Sequence, residues 1–415
     1  MDLVQKVQAL GESAQHDLCN SCGMRESRRQ DDLGRWIYPA ALPNGGSIRL
    51  LKVLLTNVCE KNCYYCGIRA RRDVPRASFT PDELARGFDQ MNRAGLVDGI
   101  FLSSAVCQGA SPTMDGMIAA IELLRGRYAF EGYVHLKLLP GCSEAHVERA
   151  MQLAHRVSVN LEAPNPERLA RIAPYKEFYD ELTRPMQIAS RLLAAQAAGR
   201  GQGAYHPAIP PAATGRSERR AAALEAKPGA RGGLLAPSGQ TTQFVVGAAG
   251  ESDQELLSTT WRLYRELGLA RAYFSAFQPV PGTPLEGLPA APAWREHRLY
   301  QADWLLRFYG FRYDDLVFDD TGNLPRRADP KRLYGLRHPE LFPVEVNLAS
   351  RQELLRVPGI GPRSAGQILQ GRRLGKLRTL EELALAGADA ARAAPFVLLD
   401  GKRPPFQLRL WEDDG

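Results

Sequence analysis

LKVLLTNVCEKNCYYC, residues 51–66, decides how this chain is read. Its first half is a short apolar run, Leu51 to Thr56, bounded by polar residues, and it reads as a buried strand. Its second half places Cys59, Cys63 and Cys66 on the loop that follows, separated by three and then two residues. Chemistry in parallel α/β folds sits at the carboxyl ends of strands, so the three thiols lie where such a fold works.

Outward from this stretch the pattern repeats. Further strands are expected at Gly99 to Ser103, Val134 to Leu138, Val157 to Leu161, Thr242 to Val246 and Ala272 to Phe277, with amphipathic helices between them. Thr80-Pro-Asp-Glu83 is a capping box with proline at the first helical position, and Ser252-Asp253 opens a run with helical apolar spacing. Six such units predict an α/β fold, a partial parallel (β/α)6 barrel over residues 49–325. Residues 1–48 read as an N-terminal extension. Residues 197–240, rich in Ala, Gly, Pro and Arg, read as a flexible insertion.

The seven cysteines are an odd number in a 415-residue chain, and five fall within the first 66 residues. The opening residues lack the basic, apolar, small-residue order of a signal peptide, so a cytoplasmic location is expected and a disulfide framework explains little. Three thiolates suit a 4Fe-4S cluster with one iron corner open to a small chelating molecule. Structural zinc is the alternative, with Cys19, Cys22, Cys107 or a histidine as fourth ligand. Cys19 and Cys22 form a Cys-x2-Cys pair that could hold half a second metal site or remain free thiols.

With an aromatic residue, Tyr65, before the third cysteine, the motif resembles the signature of the radical S-adenosylmethionine (SAM) superfamily. The runs FLSSAV (101–106), VNLEAPNPERL (159–169), TQFVVGAAGESDQELL (242–257) and YFSAFQPVPGTPLE (273–286) resemble more closely a family of radical SAM proteins assigned to DNA modification or repair. The resemblance covers most of residues 50–400. It implies a cluster on Cys59, Cys63 and Cys66 and cleavage of SAM to a 5'-deoxyadenosyl radical, with an electron donor such as flavodoxin or ferredoxin. It also implies that Tyr65 lies near the adenine and that Ser103 and Ser104 contact the methionine amino group, where many superfamily members carry Gly-Gly-Glu. Asn160 and Glu162, on one face of a strand, would suit ribose hydroxyls or the methionine ammonium, or else form a satisfied polar pair at the barrel rim. Gln278 is a further candidate of this type. Cys107 would face the same cavity, as a hydrogen donor or as a small buried residue.

Beyond a basic linker, residues 326–346, the texture changes to short helices with glycine turns over residues 347–400, followed by a tail, 401–415. Helix, Pro-Gly-Ile-Gly-Pro turn and helix over residues 347–373 resemble the helix-hairpin-helix family, an all-α module that grips DNA backbones. Gly359, Ile360, Gly361, Arg363 and Ser364 would present amides and side chains to a phosphate. From Arg326 to Arg378 there are 12 Lys or Arg against 4 Asp or Glu, an excess above the +7 of the whole chain. The turn could instead only pack, or bind a protein.

No apolar run is long enough to cross a bilayer. Three functions therefore compete: a radical enzyme acting on DNA, the same chemistry on RNA, and a DNA-binding protein with a non-catalytic metal centre.

Overall fold

Seven strands form one sheet in sequence order: Ile37–Ala41 (β1), Ser47–Leu54 (β2), Gly99–Ser103 (β3), Tyr133–Lys137 (β4), Arg156–Glu162 (β5), Gln240–Val246 (β6) and Arg271–Ala276 (β7). They belong to a computed structural model that describes residues 3–14, 37–41, 47–200 and 233–406. β2 through β7 are parallel, each beside its neighbour in sequence, which makes the α/β half-barrel expected from the strand–helix alternation. β1 was not expected. It pairs antiparallel with β2 and carries Pro39, a residue tolerated at a sheet edge because it leaves one ladder donor missing.

The described residues fall into two compact units. Residues 3–14, 37–41, 47–200, 233–251 and 262–296 form the first, and residues 252–261 and 297–406 the second. In the first, the sheet is covered by Leu3–Ala14 (α1), Pro81–Arg93 (α2), Ala110–Gly126 (α3), Glu144–Leu153 (α4), Pro166–Ile172 (α5) and Arg184–Gly199 (α6). The Thr80 capping box is present, with Thr80 accepting from the Glu83 amide and the Glu83 carboxylate from the Thr80 amide. The helix Asp253–Glu266 (α7) begins in the same way on Ser252 and Glu255. Val53, Leu102, Leu136 and Val157 are fully buried in the strands.

Most of the expected insertion, like Cys19 and Cys22, lies outside the described residues. Its described ends are ordered. Residues 197–199 are the last of α6, and the amides of Ala236 and Ser238 donate to the carbonyls of Met151 and His155 at 2.8 and 2.7 Å.

After Ala293–Phe308 (α8), the second unit contains Pro330–Arg337 (α9), Val344–Glu345 (β8), Arg351–Arg356 (α10), Pro362–Gly371 (α11), Leu380–Leu385 (α12), Ala390–Ala393 (α13) and Val397–Leu398 (β9). Its core gathers Leu354, Val357, Ile360, Ile368, Leu383 and Val397. Two turns brace each other there. The Asp389 amide donates to the Gly359 carbonyl at 2.9 Å, and the Ser364 hydroxyl donates to the Gly387 carbonyl at 2.5 Å. Gly387, at φ +76°, is thus the counterpart of Gly359, although the second turn has no Gly-x-Gly. No helix among the described residues is long and apolar enough to cross a membrane.

Candidate active site at the carboxyl ends of the strands

The loop after β2 continues the sheet before it turns away. The Leu55 amide donates to the Ser103 carbonyl, Ala105 to Thr56 and Glu60 to Val106, so the loops after β2 and β3 run side by side. Thr56 then bridges to Ser78, closing the excursion that carries the cysteines. Arg76 binds this loop from within: its guanidinium donates to the carbonyls of Asn57, Ile68, Arg69 and Arg72 at 2.5 to 2.8 Å. Asn57 adds a second brace, accepting from the Ala77 amide and donating to the Pro75 carbonyl.

A second segment crosses the loop. The Tyr64 amide donates to the Ile172 carbonyl, and Lys61 reaches both the Tyr175 carbonyl and Glu181, the latter at 2.8 Å. Glu181 belongs to a π-helical turn, Phe178–Thr183, a rare geometry that recurs at functional sites. Lys176, just before it, donates to Glu162 at 2.9 Å. Glu162 is at φ +66°, where β5 slips register against β6, so its side chain leaves the regular strand pattern.

Cys63 is buried, and Cys59, Cys66 and Cys107 are partly so. Burial pushes the Cys66 thiol up to about 12, with the neighbouring Cys63 adding to the effect, and burial also raises Cys63. Burial disfavours the charge on Lys176 too, yet the nearby Cys63 and Glu162 hold it above the ordinary lysine value. Tyr65 is raised by burial first and then by Glu162, with which it shares a hydrogen bond.

A family model described as the radical SAM superfamily matches residues 53–193. Residues 53–193 are a radical SAM domain. The cofactors of such a domain are a 4Fe-4S cluster and SAM. No curated protein matches the chain. Among solved structures, the hydrogenase maturase HydG matches with 11% identity and a TM-score of 0.42, covering 62% of this chain and 49% of that one. Methylornithine synthase (PylB) matches with 11% identity and a TM-score of 0.41, covering 74% and 77%. The radical SAM methyltransferase TsrM from Kitasatospora setae matches with 14% identity and a TM-score of 0.37, covering 57% and 38%. The chain spans about half the length of HydG.

The radical SAM domain fits these cofactors on its own chemistry. Among the described residues, no three His, Cys, Asp or Glu side chains are gathered closely enough for a single ion. A cubane asks for something looser, since each thiolate takes its own iron corner. Thiols whose burial opposes ionisation need positive charge beside them, which iron supplies in full and Lys176 in part. Two buried polar atoms on the paired loops, Ser104 Oγ and Asn62 Oδ1, have no hydrogen-bond partner in the protein. Such orphans are rare and suit a polar ligand.

Ser103 ends β3 and Asn160 stands half-buried on β5. Glu162 is taken up by Lys176 and Tyr65, so it orders the loop instead of facing outward beside Asn160. Gln278 lies exposed beyond β7. Cys107 follows β3, its backbone held at both ends by the Thr113 hydroxyl. Sequence reading missed Arg76, Lys61 and Lys176. Lys61 alone carried a signal, since it lies inside the cysteine motif.

Proposed function

We propose that the chain is a radical SAM enzyme acting on nucleic acid, with DNA as the substrate, in modification or repair. Cys59, Cys63 and Cys66 would hold the 4Fe-4S cluster. Ser103, Ser104, Asn160 and Tyr65 would line the SAM site, with Gln278 at its edge. The bound pair supplies one-electron cleavage of SAM to a carbon radical. The protein's part is to hold the loop rigid through Arg76 and Asn57, to set charge beside the thiolates through Lys176, and to keep bulk water from the buried side of the loop.

The observation that carries the reading is the joining of three cysteines and orphaned Ser104 Oγ on two adjacent loops at the strand ends. Support for nucleic acid comes from the second unit. Arg363 is exposed at the start of α11, a helix start whose first amides have no partner within the helix, beside the glycine turn 359–361. The contact would run through those amides and Arg363, because Ile360 is buried in the core and Ser364 donates inward to Gly387.

The test is anaerobic turnover with dithionite and SAM, following 5'-deoxyadenosine with DNA, tRNA or no nucleic acid present. Stimulation by DNA supports the reading. Stimulation by tRNA alone moves the substrate to RNA. DNA binding without any 5'-deoxyadenosine leaves a non-catalytic metal protein.

A further inference from the structure

Two ion pairs lie where the segment after α5 crosses the cysteine loop, and they do different things. Lys61 and Glu181 join the loop to the crossing segment directly. Glu162 and Lys176 both stand outside the cysteine motif, so their pair does not itself tie the loop down. The backbone is pinned just ahead of Lys176: the Tyr64 amide donates to the Ile172 carbonyl at 2.7 Å, the Lys176 amide to Ala173 at 3.0 Å, and the Lys61 ammonium to Tyr175 at 3.0 Å. Lys176 is thereby carried past Cys63 and Cys66 with its position fixed. Glu162 meets it from β5 at the register slip, in a left-handed conformation that a residue with a side chain adopts only under constraint.

Seen from the thiols, this pair is not neutral. Burial raises Cys63 first, and of the charges around it the Lys176 ammonium, which favours the thiolate, comes ahead of the Glu162 carboxylate, which opposes it. At Cys66, where burial and then Cys63 raise the thiol, Lys176 again favours the thiolate. The two side chains are 10% and 5% exposed, so water screens their fields poorly.

We propose that Lys176 and Glu162 are a tuning pair for the cluster, the ammonium raising its reduction potential and the carboxylate holding that rise in check. Reduction adds negative charge to the iron and sulfur, so a cation nearby favours the reduced state and an anion disfavours it. The proposal rests on the reading that Cys59, Cys63 and Cys66 hold the cluster, and goes beyond it by giving the two partners opposite effects. A pair that only staples the chain has no such sign.

The test is an anaerobic redox titration of the reconstituted full-length chain, following the reduced-cluster electron paramagnetic resonance signal against potential. Lys176→Met should lower the midpoint and Glu162→Gln should raise it, the former by at least about tenfold in the reduction equilibrium, about 59 mV for one electron. Lys176→Arg should stay close to wild type. Glu162→Gln/Lys176→Met leaves no unpaired buried charge, which guards against single variants that fail to fold, and its midpoint should fall between those of wild type and Lys176→Met. Loss of packing alone would move both single variants in the same direction. Shifts of the same sign, or a cluster whose potential ignores the changes, overturn the proposal and leave the radical chemistry standing. A wild-type chain that assembles no cluster overturns the proposal together with the reading beneath it.

Discussion

Lys176 Nζ lies 2.9 Å from Glu162 Oε1, and the two side chains are 10% and 5% exposed. A buried pair of this kind orders structure more than it adds net stability, because desolvation offsets the attraction. Removing one partner leaves an uncompensated charge. Glu162→Gln and Lys176→Met should each lower unfolding free energy by roughly 3–5 kcal/mol, with the double variant losing less than their sum. Denaturant melts of the three variants check this, and additive losses would show that the pair does not act as a unit.

Arg76 is the second support of the cysteine loop. It donates to four carbonyls drawn from both ends of the excursion, and a methionine in its place leaves those carbonyls to water or unsatisfied. Arg76→Met should keep its far-ultraviolet circular dichroism yet retain markedly less iron after anaerobic reconstitution. Full iron content in the variant would mean that the loop holds its shape without the guanidinium.

In the second unit the two glycines of the turn do different work. Gly359 is at φ +83°, and a Cβ there would lie 2.4 Å from the Asp389 carbonyl oxygen. Gly361 is at φ −97°, with only the Tyr309 hydroxyl near, at 3.3 Å. Gly359→Ala should therefore destabilise by about 2–4 kcal/mol, and Gly361→Ala by less than about 1 kcal/mol. For the nucleic-acid question Gly361→Asp is the cleaner variant, since it adds negative charge at the turn without forcing the backbone. Equal melting temperatures for the two alanine variants would contradict the packing described.

Lys331 sets a pH dependence in the same unit. Burial lowers it to about 7, beneath the turn, where its ammonium donates to the Ile360 carbonyl. Between about pH 7 and 10.5 the unfolded chain holds a proton that the folded chain has released, so stability rises with pH there, by up to about 1.4 kcal/mol per unit. Below pH 7 both states are protonated and this contribution is flat. Lys331→Met should remove that slope from the difference between variant and wild-type melts taken across pH 6 to 10. A slope that survives would assign the titration elsewhere.

What could be read in advance follows from how local each signal is. The strand from Gly99 to Ser103 was legible to the residue because an apolar run between polar neighbours has one buried solution. The Thr80 helix start was legible because a capping box is complete within four residues. The cysteine spacing is equally local. Glu162 was placed on the strand face because alternation predicts it there, whereas a register slip and a left-handed backbone turn it toward Lys176, 14 residues on. Arg76 and Lys176 were invisible for the same reason, since their partners are set by how loops cross. Ser364 looked like a phosphate ligand within its own turn, and only the second turn, bearing Gly387, claims its hydroxyl.

The most direct measurement is iron analysis with electron paramagnetic resonance on anaerobically reconstituted protein, reduced with dithionite, with and without SAM. About four irons and four sulfides per chain are expected, with a reduced-cluster signal that shifts when SAM is added and is lost in Cys63→Ala. Tightly bound zinc, or a reduced-cluster signal indifferent to SAM, would contradict a cluster with one corner open on Cys59, Cys63 and Cys66.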